Sequence, residues 1–310
     1  DKIIALNHVG LPMDMKIAAV VPGLDLIIGG HSHTKMLNED GSNYSYPEMV
    51  GNVPVVQAYA YSKYLGKLKV TFDDDGNVIS AEGDPILLDA SIVPDAKIAA
   101  RIAEMGAPIE EMKKRVVAKA ADNIDGDRAN CRVRECQMGN LVADAMLDRV
   151  AAQGVEIAIQ NGGGLRASIG AGEVTMGDVL TVLPFQNTLS TFEVTGEVMV
   201  AALENGVSQM EEVKGRFPQV AGLSFAVNPS AEVGSRISNV LVGGSPIDLA
   251  TTYKVVSNNY VRNGGDGYKM FRGAANAYDY GPDLADVTAE FLAKQNGYLP
   301  YLDGRIKVND

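Results

Sequence analysis

Three histidines are the whole supply of imidazole in this chain of 310 residues, and each lies near the end of an apolar run. His8 closes "IIALNH", while His31 and His33 follow "LDLIIGG", two apart behind a pair of glycines. Imidazole is the commonest metal ligand, and residues i and i+2 of an extended loop point the same way. The carboxyl ends of parallel strands collect ligand sites, so the pattern predicts a metal site on His8, His31 and His33 that needs further donors. The alternative is three side chains that only close strand ends.

Arginines form a second group. Arg128, Arg132 and Arg134 crowd into "GDRANCRVRE", and Arg166 follows "NGGGL". The planar, permanently charged guanidinium matches phosphate oxygens in a bidentate way, although a solvated face explains such a cluster equally. If the stretch is extended, Arg132 and Arg134 point the same way, with Glu135 as a carboxylate partner for one. The turns "NGGGLR" (161–166) and "NGGDGY" (263–268) follow strand-like runs, and neither is a Walker loop or a GxGxxG fingerprint. They suit close backbone approach to a planar ring, or are plain tight turns. Phe185 in "LPFQN" and Tyr260 in "SNNYVRNGGDG" stand at strand-to-loop junctions, where two rings can sandwich a base. Taken singly, each reads as core packing. Cys131 and Cys136, the only cysteines, read as a disulfide or as two buried thiols.

The elements that must carry these residues alternate in an α/β manner. Strands are expected at 3–7 and 24–30, with a short helix between them capped by Asp14 and running through Val21. "VPVVQAYAY" and "YLGKLKVTF" read as further strands, the second paired with its successor across the DG turn of "DDDGNVI". A helix starts near Pro94–Asp95, is interrupted at Gly106 and Pro108, and resumes through "IEEMKKRVVAKA". Beyond about residue 119, "MGNLVADAMLDRVAAQG" reads as an amphipathic helix ending at Gly154, followed by the strand "VEIAIQN". The strands "TLSTFEV", "LSFAVN", "ISNVLVGG" and "YKVVSNNY" then alternate with helices near 196–206 and 283–295.

The length suits two domains. A hydrophobic fraction of 46% and a charged fraction of 21% are ordinary for a soluble globular chain. No apolar run approaches the roughly 20 residues that span a bilayer. The net charge of −12, from 27 basic and 39 acidic residues, disfavours a nucleic-acid polymer. A small anionic substrate stays open, because local arginines override the global field. No leader precedes Asp1, so a signal peptide has been removed or the chain is part of a longer one. The second is the expectation, because "DKIIALNHVG" reads as the middle of a domain.

Taken together, "NHVG", "IIGGHSHT", "VVQAYAYSKYLGKLKVTFD", "CRVRECQMGNLVADAM", "NGGGLR", "LPFQN" and "NGGDGY" resemble the 5′-nucleotidase family of metallophosphoesterases. They occur in the family's order over essentially the whole chain, and the cysteine-flanked "CRVREC" looks most like the ecto-5′-nucleotidases. The resemblance implies a mixed α/β fold in three parts. These are a partial metallophosphoesterase β-sandwich segment at 1–80, a connector with a helix at 81–118, and a nucleotide-binding domain at 119–310. It implies a periplasmic or extracellular hydrolase that splits nucleoside 5′-phosphates with two divalent metal ions, zinc or manganese, and a bridge between Cys131 and Cys136. By the same resemblance His8 and His31 match metal ligands, and His33 matches a position that binds a metal or lies beside one. Arg132 and Arg166 match residues on the phosphate and ribose side, and Arg128 a third found in periplasmic bacterial members. Asn161 and Asn187 match contacts to the nucleoside, Phe185 and Tyr260 the base-stacking pair, and Asp266 the carboxylate that accepts from the ribose hydroxyls.

The family's D-x-H, G-D and G-N-H-[DE] segments have no counterpart here, so the chain is expected to begin after them. Alone, it is expected to bind nucleotides without turning them over. Other readings are a 2′,3′-cyclic-nucleotide phosphodiesterase, a UDP-sugar hydrolase or a thiosulfohydrolase on the same scaffold, and a nucleoside-binding module without catalysis. The preferred nucleotide and the oligomeric state stay open.

Overall fold

The computed structural model describes residues 1–39, 41–295 and 297–309. The chain divides into two compact units, Asp1–Ile102 and Ala103–Asp310, and the expected mixed α/β class holds in both. Among the described residues no helix is long and apolar enough to cross a membrane.

In the first unit a four-stranded sheet runs in the order Ile4–Leu6, Leu26–Ile28, Val53–Val56, Glu48–Val50. The first three strands are parallel and the last is antiparallel. Parallel neighbours need a crossover, and the helix Leu11–Val20 supplies the first one. It starts after Gly10, whose φ of 90° sets the turn, and carries Pro12 in its opening turn. Asp14 does not cap this helix, contrary to expectation. It lies inside it, fully buried, with Oδ1 accepting from Asn7 Nδ2 at 2.9 Å. The DG turn does make a hairpin, of Leu68–Phe72 with Val78–Gly83. The run "VPVVQAYAY" is a strand only over Val53–Val56, because Tyr59, Tyr61 and Ser62 take left-handed backbone.

The connector helix, Ala96–Lys114, begins on the Asp95 carboxylate, which accepts from the amides of Lys97 and Ile98. The interruption expected at Gly106 and Pro108 does not occur. None of its residues is buried, so the backbone beside Pro108 stays open to solvent. The helix does not continue through "VVAKA": Val116–Ala120 is a strand, paired with Gly172–Thr175.

The second unit is built on a five-stranded sheet in the order Pro218–Ala221, Ile157–Asn161, Thr252–Asn258, Leu189–Thr195, Ala275–Tyr278. Only Ile157–Asn161 and Thr252–Asn258 are parallel to each other. Their side chains alternate between two cores, as a sheet covered on both faces requires. Ala158 and Val256 join the core around the helices Gln137–Val150 and Leu284–Lys294. Ile157, Ile159 and Val255 join the one around Gly196–Val207. The helix expected to end at Gly154 does so, through a tight turn at 151–153 that closes on the left-handed glycine.

Candidate functional site

The parallel strands Ile157–Asn161 and Thr252–Asn258 end side by side, and their last residues are polar in otherwise apolar runs. Asn161, Gln160 and Asn258 are buried and hydrogen-bond to one another. Asn258 Nδ2 donates to Gln160 Oε1 at 2.8 Å and to Asn161 Oδ1 at 3.0 Å. Its Oδ1 caps the short helix Asn259–Arg262 by accepting from Val261 N at 2.8 Å. That cap aims Tyr260, the second residue of the helix, at Asp266.

Asp266 is the hub. Its Oδ2 accepts from Asn161 Nδ2 at 2.7 Å and its Oδ1 from the Tyr260 hydroxyl at 3.0 Å. Its carbonyl accepts from Asn205 Nδ2 at 3.2 Å. The residue sits at φ 51°, between Gly264 at 87° and Gly267 at 85°. Left-handed backbone is uncommon for a residue with a side chain, and here it turns the carboxylate back toward the strand ends. A carboxylate has about four lone-pair sites, so each Asp266 oxygen keeps acceptor capacity for a diol. Burial and the nearby Asp266 carboxylate push the Tyr260 phenol above its ordinary range, which keeps it a donor.

The two candidate stacking rings differ in their surroundings. Phe185 is 53% exposed and Tyr260 48%, so neither is core. The Arg166 guanidinium lies over Phe185 at 5.5 Å from the ring centroid and donates from Nη1 to Gly163 O at 3.3 Å. Phe185 and Asn187 line one crevice with Gly164, Leu183, Leu284 and Ala285. Tyr260 packs on Gly265, where a Cβ would fall 2.5 Å from the ring. Close backbone approach to a planar ring is therefore realised in "NGGDGY", and the ring is the protein's own. In "NGGGLR" the approach is to backbone instead. A Cβ on Gly162 would lie 2.2 Å from Cys131 O, and one on Gly163 2.9 Å from the Gly215 Cα.

The arginine stretch is not extended. Asp127 caps the helix Arg128–Cys131, and a disulfide joins Cys131 to Cys136, both buried. Arg128 is exposed at the helix start and Arg134 is exposed too, whereas Arg132 is buried with Nη1 donating to Val213 O at 3.4 Å. Arg132 and Arg134 thus do not share a direction, because the helical turn breaks the two-residue alternation. Glu135 accepts from Asn140 Nδ2 at 2.7 Å and from the amides of Asp303 and Ile306.

In the first unit His8 and His31 do meet, because each follows one of two neighbouring parallel strands. Their rings stand edge to face at 5.3 Å. The glycines before His31 are forced by contact: a Cβ on Gly30 would lie 2.8 Å from His8 Nδ1, and one on Gly29 2.3 Å from Asp14 Oδ2. His31 and His33 take φ of 75° and 53°, so the loop is not extended, and the His33 ring turns edge-on to Tyr61 at 5.3 Å. The shared direction expected of His31 and His33 is lost with the extended backbone. Among the described residues no three His, Cys, Asp or Glu side chains form a metal-binding group. Two imidazoles fit a share of the coordination a divalent ion takes and do not complete it.

Sequence reasoning missed Gln160, Asn258, Asn205 and Gln219. The available signal was a lone amide in an apolar strand, in "EIAIQN" and "FPQVAG", and an Asn just before a short helix in "SNNY". Asn205, on a helix, gave no signal.

Comparisons with known proteins place the chain in a family. The family described as 5′-nucleotidase, C-terminal domain, matches residues 116–273. The human 5′-nucleotidase is 35% identical over 337 residues, covering 100% of this chain and 59% of its own length. The snake venom 5′-nucleotidase of Macrovipera lebetinus is 32% identical over 339 residues, covering all of this chain and 83% of itself. The crystal structure of a 5′-nucleotidase precursor from Thermus thermophilus superposes with a TM-score of 0.79 at 39% identity, covering 99% of this chain and 64% of that one. The chain thus spans between half and two thirds of the human and Thermus proteins.

Proposed function

The chain belongs to the 5′-nucleotidase family, and from that premise we propose that it is the nucleotide-binding part of an enzyme hydrolysing nucleoside 5′-phosphates to nucleoside and phosphate. The observation that carries this reading is the Asn161–Asp266–Tyr260 network, a carboxylate held by donors on one side with acceptor capacity left for a ribose diol. In this reading Phe185 and Tyr260 stack on the base, and Asn161 and Asn187 contact the nucleoside. Arg128, Arg132 and Arg166 take the phosphate and ribose side, where fixed guanidinium charge counters the phosphate.

His8 and His31 would give two nitrogen donors to one of a pair of divalent ions, zinc or manganese. Bound there, such ions supply Lewis-acid polarisation and an activated water. In this reading the chain's own residues bind and orient, and the 310-residue chain alone holds its ligand without turning it over. The disulfide supports an oxidising compartment, periplasmic or extracellular.

Calorimetric titration of the 310-residue chain with adenosine and with AMP tests the reading, and saturable binding is expected for both. Absence of heat with either ligand overturns the nucleotide site. Phosphate release from AMP well above a metal-only blank, with zinc or manganese added, overturns the claim that this chain does not turn over.

A further inference from the structure

Gln219 has no place in the roles above, yet it is fully buried and every polar atom of its side chain is used. It lies in the strand Pro218–Ala221 directly opposite Gln160, so both face the same side of the sheet. There it meets the start of the helix Gln137–Val150, where a Cβ on Gly139 would fall 2.1 Å from Gln219 Oε1. Its amide is spent on the disulfide loop. Nε2 donates to Cys131 O at 3.0 Å and to Arg134 O at 2.7 Å, and Oε1 accepts from Cys136 N at 3.2 Å. The disulfide fixes the distance between Cys131 and Cys136 but not the path of the backbone between them. Three hydrogen bonds from a side chain on a central sheet fix that path, and Arg132 lies on it.

We infer that Gln219 is the positioning residue of the arginine loop, holding Arg132 where it meets the phosphate of a nucleoside monophosphate without contacting the ligand. The inference rests on the nucleotide reading and is separable from it. A loop that shifts should weaken AMP far more than adenosine, whose base and diol contacts are built from other residues.

The test compares Kd for AMP and adenosine in the wild type, Gln219→Met, Arg132→Ala and the double variant. Gln219→Met keeps the volume of the side chain and removes all three hydrogen bonds. It should weaken AMP by about tenfold or more and adenosine by less than about threefold. On the Arg132→Ala background it should cost AMP nothing further. A wild type that binds neither ligand sinks the nucleotide reading. A wild type that prefers AMP, with the preference intact in Gln219→Met or lost additively in the double variant, sinks the role of Gln219 alone, as does equal wild-type affinity for the two ligands. Should Gln219→Met fail to fold, the side-chain amide resonance of Gln219 in the wild type decides. It is expected to move with AMP and stay still with adenosine, and movement with both or with neither overturns the inference.

Discussion

Asp266 and Phe185 show how one residue is prepared for a ligand. The carboxylate is held by Asn161 and Tyr260, so in the proposed site little ordering would be left for the binding step. Phe185 has one face under Arg166 and half its surface in solvent. Phe185→Ala is therefore expected to weaken adenosine by roughly 1–3 kcal/mol if the free face stacks on the base, with the melting temperature little changed. Unaltered affinity in calorimetry would remove Phe185 from the site. Tyr260 gives a pH signature. Its folded pKa is raised above that of the unfolded chain, so its contribution to stability is complete below about pH 10 and fades as pH rises through the folded value. Spectrophotometric titration of Tyr260→Phe should lose one late-ionising phenol relative to the wild type. Loss of a phenol with ordinary titration would show the hydroxyl to be unperturbed.

At the scale of elements, two glycines make opposite predictions. A Cβ on Gly106, in the exposed connector helix, would meet nothing within 4 Å, so Gly106→Ala should stabilise that helix by about 0.5–1 kcal/mol. A Cβ on Gly162 would collide with the Cys131 carbonyl at 2.2 Å, and Gly162→Ala should destabilise the second unit by about 2 kcal/mol or more through displaced backbone. Denaturant melts of the pair, followed by circular dichroism, check both, and equal effects would contradict the packing described. Sequence alone distinguishes the two poorly. Gly106 with Pro108 reads as a break, and the helix survives because its surroundings are water. Local pattern likewise carries "RVVAKA" onward as helix. Val116–Ala120 is a strand because of Gly172–Thr175, a partner far along the chain that no local period reveals. The long apolar elements, from Ile157–Asn161 to Leu284–Lys294, were legible because burial imposes its period directly on the residues.

On the scale of the whole molecule, the candidate site residues could be picked out of the sequence one at a time and their supports could not. His8, Arg132, Phe185 and Asp266 stand in short motifs. Gln160, Gln219 and Asn258 act through contacts that exist only once the sheet has assembled. The disulfide belongs to this scale too. Its loop is short, so the chain-entropy account gives about 2 kcal/mol, and reduction should lower the unfolding midpoint while leaving a folded protein. A midpoint unchanged by reductant would mean that Gln219 and Glu135 hold the loop without it. The contact of Gly162 against Cys131 O also has a bearing on time. The Gly162 turn and the Cys131–Cys136 loop touch through their backbones at Cys131 O, so a large outward swing of either would meet the other. In the proposed site a nucleotide would meet both halves already assembled, and stopped-flow association is expected in a single kinetic phase, a slower second phase counting against it.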